Sequence, residues 1–136
     1  MFVTLFVGIL DLTSGLLRYC NAGHEAPLVI HKETCQLPVD NAYPVGAYTD
    51  SAYQTQTAVL EQGSTIFLYT DGLSEAMVDG YKMFGEKRIL DEADRAIQAA
   101  QLSPKALIDR MTQAVHAFVG DYEQSDDLTM MAIRRP

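Results

Sequence analysis

Asp71 and Asp126 each stand where an apolar, strand-like run meets a turn. Asp71 follows Leu68-Tyr69-Thr70 and precedes Gly72, while Asp126 opens Asp126-Asp127-Leu128-Thr129 ahead of the last apolar run. A carboxylate at such a corner presents hard oxygen donors, the kind Mg²⁺ and Mn²⁺ prefer. The neighbouring Gly72 lets the backbone turn tightly beside an ion. Two corners of this kind can converge on one edge of a sheet although they lie far apart in sequence. The plainer alternative is that each Asp only closes its own turn, which Asp does readily. Local chemistry leaves both open.

The surrounding residues extend the pattern. In order, the chain carries Asn21-Ala22-Gly23-His24 with Pro27, then Pro44-Val45-Gly46. Tyr69-Thr70-Asp71-Gly72-Leu73-Ser74-Glu75-Ala76 follows, then Phe84-Gly85-Glu86 and Ser125-Asp126-Asp127-Leu128-Thr129. This series resembles the C-terminal half of the PPM-type bacterial serine/threonine phosphatases of the stage II sporulation protein E type, relatives of the type 2C protein phosphatases. The opening Met1-Phe2-Val3-Thr4-Leu5-Phe6 is similar to a strand of that family. The likeness covers nearly the whole chain.

The resemblance implies a metal-dependent phosphoprotein phosphatase with two Mn²⁺ or Mg²⁺ ions in the complete domain. Such ions, roughly 3.5–4 Å apart, generate hydroxide near neutral pH and clamp the phosphoryl oxygens. It implies that Asp71 and Asp126 are metal ligands, with Gly72 and Asp127 standing beside them rather than on the ion. The implied partner is a phosphorylated regulatory protein of the anti-sigma-factor antagonist type. The family's domain is nearly twice this length, and its first half carries a Gly-Gly-Asp and an Asp-x-x-Gly-x-Gly motif that hold most of the metal centre. Neither motif occurs here. The expected organisation is therefore one domain, residues 1–136, forming the C-terminal portion of a phosphatase domain and inactive by itself. The alternative is a non-catalytic interaction module derived from that fold.

Other residues read more simply. Asn21, Gly23 and His24 look structural, a turn with a backbone-orienting His. His31 and His116 are isolated and show no zinc-ligand spacing. Glu75 reads as a solvated acid at a helix start, the methionines as core filler, and Arg134-Arg135 as too short a basic run to carry meaning.

Composition sets bounds. A chain of 136 residues with 48% apolar content buries roughly two-thirds of its unfolded surface if it folds as one unit. A net charge of −8 excludes general nucleic-acid binding, which needs a basic face. No apolar run reaches the roughly 20 residues of a membrane span. The apolar start lacks a basic n-region and a small-residue cleavage site, so no signal peptide is expected and the expected location is cytoplasmic. Cys20 and Cys35 are too few for a disulfide framework. They would bridge only if their two strands paired, which a reducing compartment disfavours.

The periodicity places strands early and helices late. Residues 2–10 read as a strand buried on both faces, turning at Gly15 into a return strand over 16–21. Residues 27–31 read as a third strand, 32–35 as a turn containing Cys35, and 36–39 as its continuation. Residues 50–60, 64–70 and 128–133 complete the strands. A helical turn is expected over 73–77 and a helix over 86–100, with Ile89, Leu90, Ala93 and Ile97 on one face. A second helix starts at Ser103-Pro104 and ends near Gly120. The expected class is α+β and layered; the family resemblance implies, more sharply, a layered antiparallel β-sandwich with flanking helices, incomplete if the first half is missing. In that case the first strand exposes a bare edge that recruits another chain, so a homo-oligomer is expected.

Overall fold

The computed structural model describes residues 1–40 and 42–136. It contains nine strands and three helices among the described residues. β1 (Leu5–Leu10), β2 (Leu16–Ala22) and β5 (Gln56–Val59) form one antiparallel sheet in the order β1-β2-β5. β3 (Leu28–Ile30), β4 (Thr34–Gln36), β6 (Thr65–Tyr69) and β9 (Met130–Arg134) form a second, in the order β4-β3-β6-β9. A short hairpin, β7 (Met77–Val78) and β8 (Lys82–Met83), stands apart. The helices are α1 (Asp71–Ser74), α2 (Gly85–Gln98) and α3 (Pro104–Val119).

The layering follows from side-chain alternation on the central strands, since successive residues of a strand face opposite sides. Leu28, Ile30, Phe67 and Tyr69 point toward the helices and pack with Ile89, Ala93, Leu107, Met111 and Val115. Val29, Ile66 and Leu68 point the other way, against Leu17, Tyr19, Phe6 and Leu10 of the three-stranded sheet. The result is helices on a four-stranded sheet on a three-stranded sheet, the α+β sandwich expected from the sequence. Ser103 caps α3 as expected, its hydroxyl accepting from the Ala106 amide at 3.1 Å, and Pro104 occupies the first turn.

Several expectations are corrected. The first strand is not buried on both faces. Phe6 and Leu10 turn into the sandwich, but Leu5, Val7 and Ile9 are exposed because no helix or sheet among the described residues covers the outer face of the three-stranded sheet. Cys35 lies in β4 rather than in a turn, since the chain reverses at residues 31–33. Cys20 and Cys35 belong to strands of different sheets, and both are free thiols. The helical turn begins at Asp71 itself, two residues before the expected start. Of the strand expected over 50–60, only Gln56–Val59 pairs. Met83 and Met131 are exposed and are not core filler.

Arg135 is the largest departure. It is 6% exposed, and its guanidinium donates to the carbonyls of Leu12, Thr13 and Leu60. It ties the chain's last strand to the β1–β2 turn and to the end of β5. A planar fork of five donors suits three converging carbonyls, a use that a two-residue basic run does not advertise.

Candidate metal-binding edge

β6 is buried from Thr65 to Tyr69 except for the half-buried Leu68, because helices cover one face and a sheet the other. The strand must end where the chain meets solvent, and it ends at Thr70. The chain then makes one turn of α1, anchored by the fully buried Leu73 and closed by the Glu75 amide donating to the Asp71 carbonyl at 2.7 Å. Asp71 therefore sits exposed on the first turn, at the rim of the sheet.

β9 brings the second acid alongside. Its register with β6 pairs Tyr69 with Met130, and the ladder continues one step as the Thr70 amide donates to the Thr129 carbonyl at 3.1 Å. The segment before Thr129 then crosses Gly72. A Cβ built on Gly72 would lie 2.1 Å from the Asp127 carbonyl oxygen and 2.9 Å from its carbon. Gly72 has no positive φ. It is required for close approach of two backbones, not for the tight turn expected from the sequence. Asp126 is exposed just beyond, its carboxylate accepting from the Asp127 amide at 2.7 Å, and the Gln124 side chain donates to the Asp126 carbonyl. Asp127 thus contributes its carbonyl to the Gly72 contact, while its side chain is exposed.

The Asn21-Ala22-Gly23-His24 segment has the structural role expected of it. The buried Asn21 side chain donates to the His24 carbonyl at 2.8 Å and accepts from the His24 amide at 3.2 Å. Gly23 has φ +72°, and a Cβ there would meet Pro44 at 2.7 Å, which joins the Asn-Gly-His and Pro-Val-Gly motifs in space. His24 lines a gap of about 250 Å³ between the β1 and β9 edges with Phe6, Thr70 and Thr129.

Sequence reasoning missed Glu25. It precedes β3, whose register with β6 sets it beside the exit toward Asp71. Burial, followed by the negative charges of Glu86 and Asp71, pushes its carboxyl above the ordinary glutamate range. Its place directly after the Asn-Gly-His motif was the available signal. Asp71 and Asp126 offer the donor type a hard divalent ion takes, but such an ion needs six or more oxygens. No group of three or more His, Cys, Asp or Glu gathers in metal-holding geometry among the described residues. The donor type fits, and the donor number accounts for part of a shell only.

The architecture, a β-sandwich with helices on one face, is that of the type 2C phosphatase fold. The sequence model of Stage II sporulation protein E (SpoIIE) matches residues 1–136. The chain belongs to that family. It is 30% identical over 137 residues to Protein IcfG of Synechocystis sp., covering 99% of this chain and 21% of IcfG. It superposes on the structure of the RsbU and RsbW domains of Rv1364c from Mycobacterium tuberculosis with a TM-score of 0.81 and 29% identity, covering 97% of this chain and 36% of the other. The phosphatase domain of the cell fate determinant SpoIIE from Bacillus subtilis shares the fold, with a TM-score of 0.70, 16% identity, and coverage of 97% and 58%. A crystal of that domain was presoaked with Mn. The chain thus spans about a fifth of this curated relative, and from about a third to under three-fifths of these solved chains. No helix among the described residues is long and apolar enough to cross a membrane.

Proposed function

We propose that residues 1–136 are the C-terminal portion of a cytoplasmic, metal-dependent serine/threonine phosphatase domain, with Asp71 and Asp126 as metal ligands. The partner on this reading is a phosphorylated regulatory protein of the anti-sigma-factor antagonist type. The observation that carries it is the abutment of Gly72 on the Asp127 backbone, which holds two exposed acids from distant parts of the chain at one sheet end. Mn²⁺ or Mg²⁺ would supply charge neutralisation and an acidified water there. This chain's residues supply the rest. Asp71 and Asp126 present anionic oxygens, Gly72 permits their approach, and Leu73 and the β6–β9 ladder hold the edge rigid, so that phosphoryl transfer relies on positioning.

The test is hydrolysis of a phosphoserine peptide with Mn²⁺ by a polypeptide that joins this chain to a Gly-Gly-Asp-bearing half. Turnover is expected, with a loss of at least a hundredfold in Asp71→Asn. The 136-residue chain alone is expected to be inactive. Turnover unaffected by Asp71→Asn would overturn the assignment.

A second reading, a non-catalytic interaction module, draws on the bare outer face of the three-stranded sheet, where Leu5, Val7, Ile9, Leu16 and Val59 are exposed. On either reading we propose self-association of the isolated chain through this face and the unpaired β1 edge.

A further inference from the structure

Behind the two acidic corners, the end of α3 leaves a cavity of about 120 Å³. α3 ends at Gly120, and the chain runs back over residues 121–128 to reach β9. That return segment forms one side of the cavity, and α1 with the turn after it forms another. The space exists because two of its walls are small. Gly72 has no side chain, and the Asp127 carbonyl oxygen, 2.1 Å from where a Cβ would lie, keeps it so. Ala76 adds one methyl. Val115, Val119 and Leu128 complete the floor.

Burial separates floor from mouth. Gly72, Ala76, Val115 and Val119 are buried, whereas His116, Tyr122 and Gln124, which line the same cavity, are exposed. The cavity is therefore apolar inside and polar at its rim. An apolar floor offers few of the polar partners a water molecule needs, so an apolar guest displaces little that is well held. The volume is close to the ~150 Å³ at which an apolar cavity in a protein admits benzene or xenon. It suits a branched aliphatic side chain and is too small for an indole. The rim favours a side chain over a free hydrocarbon. Its imidazole and phenol, with the Gln124 carboxamide oxygen, can donate to and accept from the main-chain amides that flank a side chain, and a hydrocarbon brings none.

Two of the wall residues also hold the acidic edge. The Gln124 side chain donates to the Asp126 carbonyl, and Gly72 abuts the Asp127 backbone. A guest in the cavity therefore touches the residues that set Asp126 in place.

We propose that this cavity is a docking pocket for one leucine-sized aliphatic side chain of a protein partner, and that its occupant reaches the acidic edge through Gln124 and Gly72. The binding does not depend on the phosphatase reading, and only its consequence for catalysis does. Where the edge serves a cation, occupant and cation act on one segment, and each changes the other's affinity by the same factor.

The test uses the 136-residue chain with ¹⁵N and methyl ¹³C labels and no metal. It is titrated with N-acetyl-leucine-N-methylamide, a single side chain with its two flanking amides. The methyls of Val115, Val119 and Leu128 should shift, and the amides of Gln124, Asp126 and Asp127 with them. A buried methylene changes affinity about fourfold, so the alanine diamide should bind more weakly by about tenfold or more. The tryptophan diamide should not enter, and xenon should compete with the leucine diamide for the floor. Ala76→Leu fills the floor and should abolish binding, while Val115→Ala enlarges it and should favour the phenylalanine diamide over leucine. The two variants change the volume in opposite directions, so loss of the fold in one leaves the other decisive. Equal binding of leucine and alanine diamides, entry of xenon without the leucine diamide, binding unaltered by either variant, or shifts that stop short of Asp126 and Asp127 would each overturn the pocket. Because no metal, phosphate or turnover enters, this failure is distinct from failure of the phosphatase reading, which the hydrolysis assay decides.

Discussion

The carbonyl oxygen of Asp127 lies where a side chain on residue 72 would begin, so Gly72 and Asp127 fix the two acidic corners against each other. Both partners in the contact are backbone atoms, so neither can swing aside as a flexible side chain would. Gly72→Ala is therefore expected to destabilise the chain by about 1–3 kcal/mol. It should also move the segment around Asp126. Thermal denaturation reads the first effect, and amide shifts at Asp126 and Asp127 the second. An unchanged melting temperature with unchanged shifts would show the approach to be looser than described.

Arg135 gives a second prediction. Its guanidinium reaches the Leu60 carbonyl at 2.6 Å, Thr13 at 2.7 Å and Leu12 at 3.0 Å. Arg135→Ala strands these carbonyls and should cost roughly 2–4 kcal/mol. Arg135→Lys should recover only part of that, because an ammonium cannot match the fork. Chemical denaturation of the three proteins would rank them wild type, Lys, Ala, and a Lys variant equal to wild type would contradict the role given to the fork.

The raised Glu25 carboxyl gives a pH dependence. A carboxyl whose folded value lies above its unfolded one holds more protons when folded, so its ionisation opposes folding. The cost is absent below the ordinary value of 4.5 and grows as pH rises through the folded value. Glu25→Gln should raise the melting temperature at pH 7 and lose that advantage near pH 4. A gain that is constant with pH, or larger in acid, would argue against electrostatic crowding.

Much of this was legible beforehand. The Ser103-Pro104 start, the α2 stripe and the strand over 64–70 follow from local rules, and the structure has each of them. The layered class followed from antiparallel strands preceding helices. The β7–β8 hairpin was missed because two-residue strands carry no periodicity, although Asp79-Gly80, both at positive φ, was a turn signal. Arg135 and Glu25 were missed for a common reason. The meaning of a charged side chain depends on what other strands bring to it, and periodicity does not record that. Continuous apolar character in the first strand was read as burial on two faces, but it states only what the strand can bury.

That exposed face supplies a prediction about assembly. Leu5, Val7 and Ile9 share one side of β1, next to Leu16 and Val59 on the neighbouring strands. Val7→Lys with Ile9→Lys should turn a self-associating isolated chain into a monomer by light scattering at micromolar concentration. A wild-type chain that is already monomeric would contradict the proposal.

The central claim is that Asp71 and Asp126 serve one cation, and paramagnetic broadening tests it most directly. Sub-stoichiometric Mn²⁺ added to the ¹⁵N-labelled chain should broaden the amides around Asp71-Gly72 and Asp126-Asp127 together, before any others. Asp71→Asn should abolish the effect at both corners, including the one that was not mutated. Broadening confined to one corner, or persisting at Asp126 when Asp71 is neutral, would mean that the two acids close their own turns and share no ion.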